Sequence, residues 1–325
     1  MIVAASMFPK HVRSYDAEMF TAMCAAVGVA ALVSDRVRLG WTLLVMGVVN
    51  TPGAFVGLLF VAAWHVWSTK RARYLLPVVA AAAFILLESW VRRGGPFVSG
   101  YEGNAGVPTV LPYSGLPGFS YPLLFGLLSI LLSFGKGLLF YAPGLIVPIG
   151  RAEGVVSNRL RACYQMWMIF LAGLVLVYAR WWAWYGGWTW GPRFFLFASV
   201  PASLAIAVKL RQATRERMTW LLGLFVVLAL SVWVAVDGAL FDQSNMAACL
   251  QNDYALEFLC WYAPEFSALW RPFVVPIELS AGRLGFAAYA LTALAWLSAP
   301  LLARMVAVGR AGVADTSAAI KSIRF

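Results

Sequence analysis

The sequence predicts an all-α polytopic membrane protein, and three observations carry that prediction. Hydrophobic residues make up 62% of the 325 residues and charged residues only 12%, far from the balance of a soluble globular domain. The apolar runs are too long and too many to be buried core helices. The net charge of +11 sits in short connectors between those runs, where basic residues flanking membrane segments belong. The charge therefore reads as topology, not as a nucleic-acid surface.

Apolar segments lie near 17–33, 39–50, 53–67, 74–90, 137–149, 163–180, 193–208, 218–238 and 283–307. A helix needs about 20 residues to cross squarely. Segments 39–50 and 53–67 are therefore either two short helices meeting at Thr51-Pro52-Gly53 or one kinked span. Counted as two, they give about nine transmembrane segments in a single domain over 1–310, followed by a cytoplasmic tail over 311–325. The connectors with Arg36/Arg38, Lys70/Arg71/Arg73, Arg151/Arg159/Arg161 and Lys209/Arg211/Arg215/Arg217 then share a side with the tail from Arg304. That side holds sixteen of the 25 Lys and Arg residues, which makes it cytoplasmic.

Loops 91–136, 181–192 and 239–282 fall on the opposite, extracytoplasmic face. Treating 39–67 as one span flips only the first helix and its flanks, because everything from 74 onward is oriented by its own basic loops. In the two-helix count residues 1–16 are also outside, although they carry Lys10, His11 and Arg13 and no signal peptide of usual form. The chain thus reads as one that lacks N-terminal helices, supplied by a longer copy or by a separate chain.

Four cysteines and two histidines add little metal chemistry. Cys24 and Cys163 lie in or beside apolar segments and read as small buried residues. Cys249 and Cys260 share loop 239–282, where an oxidising compartment permits a disulfide and two free thiols are the alternative. His11 and His65 stand apart from any Cys or second His, so no zinc-type spacing exists.

The most informative segment is Arg180-Trp-Trp-Ala-Trp-Tyr-Gly-Gly-Trp-Thr-Trp-Gly-Pro-Arg193, which holds five of the chain's 15 tryptophans. Such a connector is either an interfacial aromatic belt or a binding site. In loop 91–136 the first half is glycine-rich and irregular, while Pro122–Phe134 predicts a helix lying in the interface. Gly135-Lys136-Gly137 then opens the next predicted helix and Gly191-Pro192-Arg193 another. Each puts a cation at a helix N-terminus, where free N–H groups and the dipole favour an anion. The bland alternative for Lys136 is a snorkelling interfacial lysine. A phosphate would satisfy both cations, arginine bidentately and lysine as a point charge.

The order Gly100-Tyr101, Gly135-Lys136-Gly137-Leu-Leu-Phe-Tyr141-Ala-Pro143, and Tyr178-Ala-Arg180-Trp-Trp-Ala-Trp184-Tyr-Gly-Gly187-Trp-Thr-Trp-Gly-Pro-Arg193-Phe resembles bacterial GT-C membrane glycosyltransferases. These are relatives of the protein O-mannosyltransferases and of the aminoarabinose transferase of lipid A. The likeness is specific over about 100–195 and only general in hydropathy elsewhere. It implies a GT-C-like core in the bacterial inner membrane that transfers a sugar from a polyprenyl-phosphate donor to an extracytoplasmic glycan, lipid or protein. No nucleotide or other cofactor is implied; some relatives use a divalent cation, and no carboxylate cluster here argues for one. Lys136 and Arg193 would hold the donor phosphate and stabilise it as a leaving group. Trp181, Trp182, Trp184, Tyr185, Trp188 and Trp190 would frame donor or acceptor, with Tyr101, Tyr141 and Arg180 in the same motifs.

One departure concerns the acid. Enzymes of this superfamily usually carry it in the first extracytoplasmic loop, after a helix that this chain does not have before Ser14-Tyr-Asp-Ala-Glu18. Glu102, Asp16 and Glu18 are the local candidates for general-base work. Asp16 and Glu18 are equally well explained as helix-capping charges, and Glu88 as the i,i+4 partner of Arg92. The competing class is a non-catalytic or split homologue that binds lipid-linked sugar or scaffolds a membrane complex. A transporter predicts internal repeats and charges at mid-membrane depth, and the sequence has neither.

Overall fold

The computed structural model describes the chain except residues 15, 150–156, 213–216, 242, 277–279 and 323–325, with side chains omitted also at 212, 243–246 and 311–322. It is 71% helix, with no strand among the described residues and one isolated bridge, Ala105 with Pro117. Six helical segments are long and apolar enough to cross a membrane: Pro52–Thr69, Ala72–Arg93, Asn158–Tyr178, Arg193–Arg211, Met218–Leu240 and Ala281–Arg310. The protein is a helical membrane protein by that criterion.

After α1 (Phe8–Ser14), α2 (Ala17–Val33) and α3 (Val37–Asn50) form an antiparallel hairpin. Small residues let the two backbones approach, as is usual between helices in lipid. A Cβ on Gly40 would stand 2.6 Å from the Leu32 side chain, and one on Gly47 2.9 Å from Cys24 Cβ. At about 1.5 Å per residue these helices are roughly 26 and 21 Å long, short of a hydrocarbon core of about 30 Å.

The question at Thr51-Pro52-Gly53 is settled by direction. A 3₁₀ turn at Pro52–Ala54 reverses the chain into α4 (Phe55–Thr69), and the His65 ring comes to 5.5 Å from Trp41, at the far end of α3. The two pieces are separate helices, not one kinked span. In α5 (Leu76–Arg93) Glu88 pairs with Arg92 at 2.7 Å and Arg93 at 3.0 Å.

The Pro122–Phe134 helix appears as α6 (Leu123–Leu132). The helix predicted over 137–149 does not. Leu138–Tyr141, α7, is a single turn, followed by a 3₁₀ turn at Pro143–Ile146. Pro143 and Pro148 each remove an amide donor, and Gly144 packs directly on the backbone of Ala202. Gly135-Lys136-Gly137 therefore opens no membrane helix.

Helix α8 (Asn158–Tyr178) is capped by Ser157, whose Oγ accepts from Leu160 N at 3.1 Å. A 3₁₀ turn at Arg193–Ala198 leads into α9 (Ser199–Gln212), then come α10 (Met218–Leu240), the short α11 (Glu257–Tyr262) and α12 (Ala281–Ser322). Helix α12 runs on beyond residue 310, so no break marks the expected tail at 311; residues 323–325 of that tail lie outside the described part. Among the described residues, the turns after α2, after α4 and before α8 share one end of the bundle, where Arg159 reaches Asp35 at 2.8 Å and Trp41, His65 and Tyr74 cluster. The three long connectors meet at the other end. There Tyr121 N donates to Arg180 O at 3.0 Å, and Gly135 N to Trp261 O at 3.0 Å.

Helices α4 and α8 touch backbone to backbone, since a Cβ on Gly173 would lie 2.5 Å from Gly57 Cα. Gly173→Leu forces them apart, and overpacking of this kind costs about 1–3 kcal/mol. A Cβ on Gly223 would meet nothing within 4 Å, so Gly223→Ala is neutral or stabilising by up to about 1 kcal/mol. Thermal unfolding in detergent should show a lowered midpoint for the first variant only.

Candidate functional site

The tryptophan-rich loop is built around one ammonium group. Lys136 is 1% exposed, and its Nζ donates to the carbonyls of Gly187 (3.0 Å), Thr189 (2.5 Å) and Gly191 (2.9 Å). A lysine has three protons to give, and all three are used. Gly186, Gly187 and Gly191 adopt φ of 76°, 80° and 68°, a region that costs glycine nothing; the chain can therefore coil until alternate carbonyls converge. The face of Trp261, 5.1 Å from Nζ, adds a cation–π contact. Burial pushes the ammonium's pKa down, and Arg193 nearby does the same, while the carbonyl dipoles and the ring oppose them.

Lys136 is thus an internal clasp, and the expected direct contact with a phosphate is not available to it. Arg193 differs. It is half-buried, its Nε lies 3.6 Å from Glu18 Oε1, and that Nε has no hydrogen-bond partner among the described residues. Its guanidinium lies over Phe194 at 5.3 Å, and Phe194 stacks on Tyr178 at 4.3 Å. Tyr178 in turn lies within electrostatic reach of Glu18, Tyr101 and Arg193. A cation, a carboxylate and two phenols from four distant segments converge here.

The three candidate acids separate by environment. Glu102 caps its own turn, accepting from Ser99 N (2.6 Å), Ser99 Oγ (2.9 Å) and Gly100 N (2.8 Å). These bonds, the Ser99 amide first, hold its carboxyl down at about 2, which makes it a poor proton acceptor. Glu102 is a turn-closing residue and not the expected base. Asp16 is bound to His11 Nδ1 at 2.6 Å, a hydrogen bond that lowers its pKa. Glu18 faces Arg193 and lies near Tyr178. Asp16 stands at the N-cap of α2 and Glu18 in its first turn, where helix-capping charges are expected, and the Asp16 side chain makes no capping hydrogen bond there.

Most of the aromatic residues expected around a ligand serve as packing. Trp184, Tyr185, Trp190 and Tyr141 are 2%, 5%, 1% and 0% exposed. Trp190 donates to Asp237 at 2.6 Å and lies 5.2 Å from the Tyr141 ring and 6.0 Å from His11. Trp188 donates to Glu257 at 3.0 Å and stacks on Tyr254 at 4.5 Å, while Tyr185 stacks on Trp261 at 4.4 Å. Arg180 spends its guanidinium on Phe119 O at 2.9 and 3.2 Å. Tyr101, Trp181, Trp182 and Trp188 keep accessible surface, with Tyr101 edge-on to Trp181 at 5.7 Å.

Beside them, Tyr113, Tyr121, Trp182, Trp184, Glu257 and Tyr262 line a pocket with a cavity volume of about 40 Å³, room for a water and not for a sugar ring. Burial raises the Glu257 carboxyl above its ordinary value. Its loop is closed by a Cys249–Cys260 disulfide, while Cys24 and Cys163 are free and buried. Among the described residues no group of three His, Cys, Asp or Glu side chains stands together to hold a metal.

Sequence reading assigns no site role to His11 or Tyr178, and it leaves Asp237 and the acids in 242–265, Glu257 among them, unranked as parts of an acceptor-facing lid. The first had a signal, an acid five residues away across a helix boundary. Asp237 had another, an acid at the end of an apolar run.

Lys136→Met leaves three inward carbonyls unpaired, at about 1–3 kcal/mol for each buried group. The loop should open, with faster proteolysis over 181–192 and a lowered melting midpoint. A pure phosphate ligand, replaced in the same way, would leave both unchanged. No protein-family model, no curated protein and no solved structure matches the chain.

Proposed function

We propose that this chain transfers a sugar from a polyprenyl-phosphate donor to an acceptor outside the cytoplasmic membrane, a glycan, lipid or protein, as its resemblance to GT-C enzymes implies. The observation that supports this most is the Arg193–Glu18 pair at 3.6 Å, which joins a cation suited to phosphate and a carboxylate suited to a hydroxyl in one place. The donor phosphate takes Arg193 by charge-assisted hydrogen bonds and so releases Glu18. Glu18 accepts the acceptor's hydroxyl proton as that oxygen attacks the anomeric carbon. The bond from that carbon to the phosphate oxygen breaks, its electron pair stays on the phosphate, and Arg193 stabilises the charge. Trp181, Trp182, Trp188 and Tyr101 offer faces for a sugar ring.

The sidedness follows from the basic turns at the end of the bundle away from this site, which by the charge rule face the cytoplasm. A second reading is a non-catalytic or split homologue that binds lipid-linked sugar or scaffolds a membrane complex.

Two variants in membrane vesicles with a labelled polyprenyl-phosphate sugar discriminate between these readings. Arg193→Ala should weaken donor binding about tenfold to a hundredfold, the loss of one charged hydrogen-bonding partner. Glu18→Gln should slow transfer about 10²–10⁴-fold with donor binding kept. Wild-type transfer by both variants rejects the roles given to Arg193 and Glu18, and donor binding without transfer by the unaltered chain rejects the enzyme assignment and supports the second reading. Orientation is checked at Val110, 78% exposed: Val110→Cys in intact cells should react with an impermeant thiol reagent, and protection until permeabilisation would reverse the sidedness.

A further inference from the structure

The segment between Cys249 and Cys260 is strained where it meets the tryptophan-rich loop. Asn252, Asp253 and Tyr254 adopt φ of 53°, 52° and 67°, three successive non-glycine residues in the left-handed region, where the Cβ of an L-residue crowds the following carbonyl. Such a turn persists only where its surroundings over-determine it. Here a disulfide closes the segment, Glu257 N donates to Tyr254 O at 2.9 Å, and the Tyr254 ring lies on Trp188 at 4.5 Å, 21° from parallel. Of the four rings offered to a sugar, only Trp188 is stacked face to face among the described residues; Trp181, Trp182 and Tyr101 meet their neighbours edge-on or tilted.

What the turn achieves is the placement of one indole. Tyr254 covers one face of Trp188, and the buried Glu257 takes its N–H at 3.0 Å. With one face and the nitrogen edge engaged, Trp188 still keeps 37% of its surface, so the open part is its second face and benzene edge. A tryptophan of an interfacial belt turns its N–H to water and headgroups; this one turns it inward to a carboxylate. Gly187, the residue before it, stands beside Arg193, since a Cβ there would lie 4.0 Å from Arg193 Nη2. A fixed aromatic face, electron-rich over the ring, next to a phosphate-binding cation suits the C–H face of a sugar joined to that phosphate. We propose that the open face of Trp188 carries the donor's sugar ring, with Tyr254 and Glu257 as its positioning residues, an assignment that rests on the donor-phosphate reading of Arg193.

The test is lipid binding by the full chain in phosphatidylcholine nanodiscs with two kinds of probe, a polyprenyl phosphate and the same lipid bearing glucose, mannose or arabinose. The readout is the ratio of affinities, taken for the sugar that the unaltered chain binds most tightly. Trp188→Ala should shift that ratio against the sugar-bearing lipid by about tenfold, the loss of a stacking face, while the sugar-free lipid binds as before. Tyr254→Ala should shift it in the same direction, and Tyr254→Phe, which keeps the ring, should restore it. Arg193→Ala should weaken both probes. Melting midpoints identify any variant that loses affinity by unfolding, and the Tyr254 pair carries the test if Trp188→Ala does. An unchanged ratio in folded Trp188→Ala would overturn the sugar assignment and leave the phosphate site at Arg193 standing. Equal losses in Tyr254→Phe and Tyr254→Ala would overturn positioning by the stacked ring. Binding of neither probe by the unaltered chain would remove the phosphate site, and the sugar assignment with it.

Discussion

The end of the bundle where the long connectors meet depends on the cage that three carbonyls form around Lys136 Nζ. Taking an ammonium out of water costs several kcal/mol even after the protein relaxes, and a lone buried lysine would give up its proton instead. Here the compensation is backbone dipole, from Gly187, Thr189 and Gly191. The arrangement works in both directions. The carbonyls of a tight glycine-rich coil would themselves be unpaired without the lysine, so the loop and the cation each satisfy what the other leaves open. Arg193, the next charged residue along the chain, inherits its position from that coil.

Trp190 extends the constraint into the bundle. Its indole N–H reaches Asp237 at the end of α10, and its ring meets Tyr141 after the lysine and His11 before α2. His11 then holds Asp16, two residues from the Glu18 that faces Arg193. A continuous polar and aromatic chain therefore runs from α10 through the loop to the start of α2. It places Glu18 without any bond from Glu18 to the loop backbone. Of the residues expected to frame a ligand, Trp190 and Tyr141 belong to this chain and are buried with it, while Trp181 and Trp188 keep accessible surface.

The sequence made the helical class legible because hydropathy is a local property, and the glycine and proline punctuation marked most of the breaks. It showed the Gly-Lys-Gly and Gly-Pro-Arg motifs as neighbours on one face, which they are. Their roles were not legible. A lysine between glycines reads the same at a helix mouth and inside a carbonyl cage, and the difference is set by Gly186, Gly187 and Gly191 some fifty residues later. The run 137–149 misled for a related reason: its hydrophobicity is that of a span, but Pro143 and Pro148 and the close seat of Gly144 on α9 make it a string of short turns. Glu102 was equally opaque, since the turn that occupies its carboxylate is made by its own neighbours Ser99 and Gly100.

The two cations first paired by sequence remain coupled, although not as two ligands of one phosphate. Lys136 and Arg193 lie close enough across the 187–191 coil for Arg193 to disfavour the lysine's charge. Such a pair is tolerated because carbonyls screen one member and Glu18 screens the other. An anion at Arg193 would relieve the repulsion while displacing Glu18 from its partner, so its binding is favoured by the buried lysine at a distance and opposed by the carboxylate in contact. Part of the positive potential at the mouth then comes from a residue enclosed by the coil. That is a physical reason for a lysine, and not a neutral donor such as asparagine, to hold the coil: a neutral side chain can satisfy carbonyls, but only a cation also leaves positive potential behind Arg193.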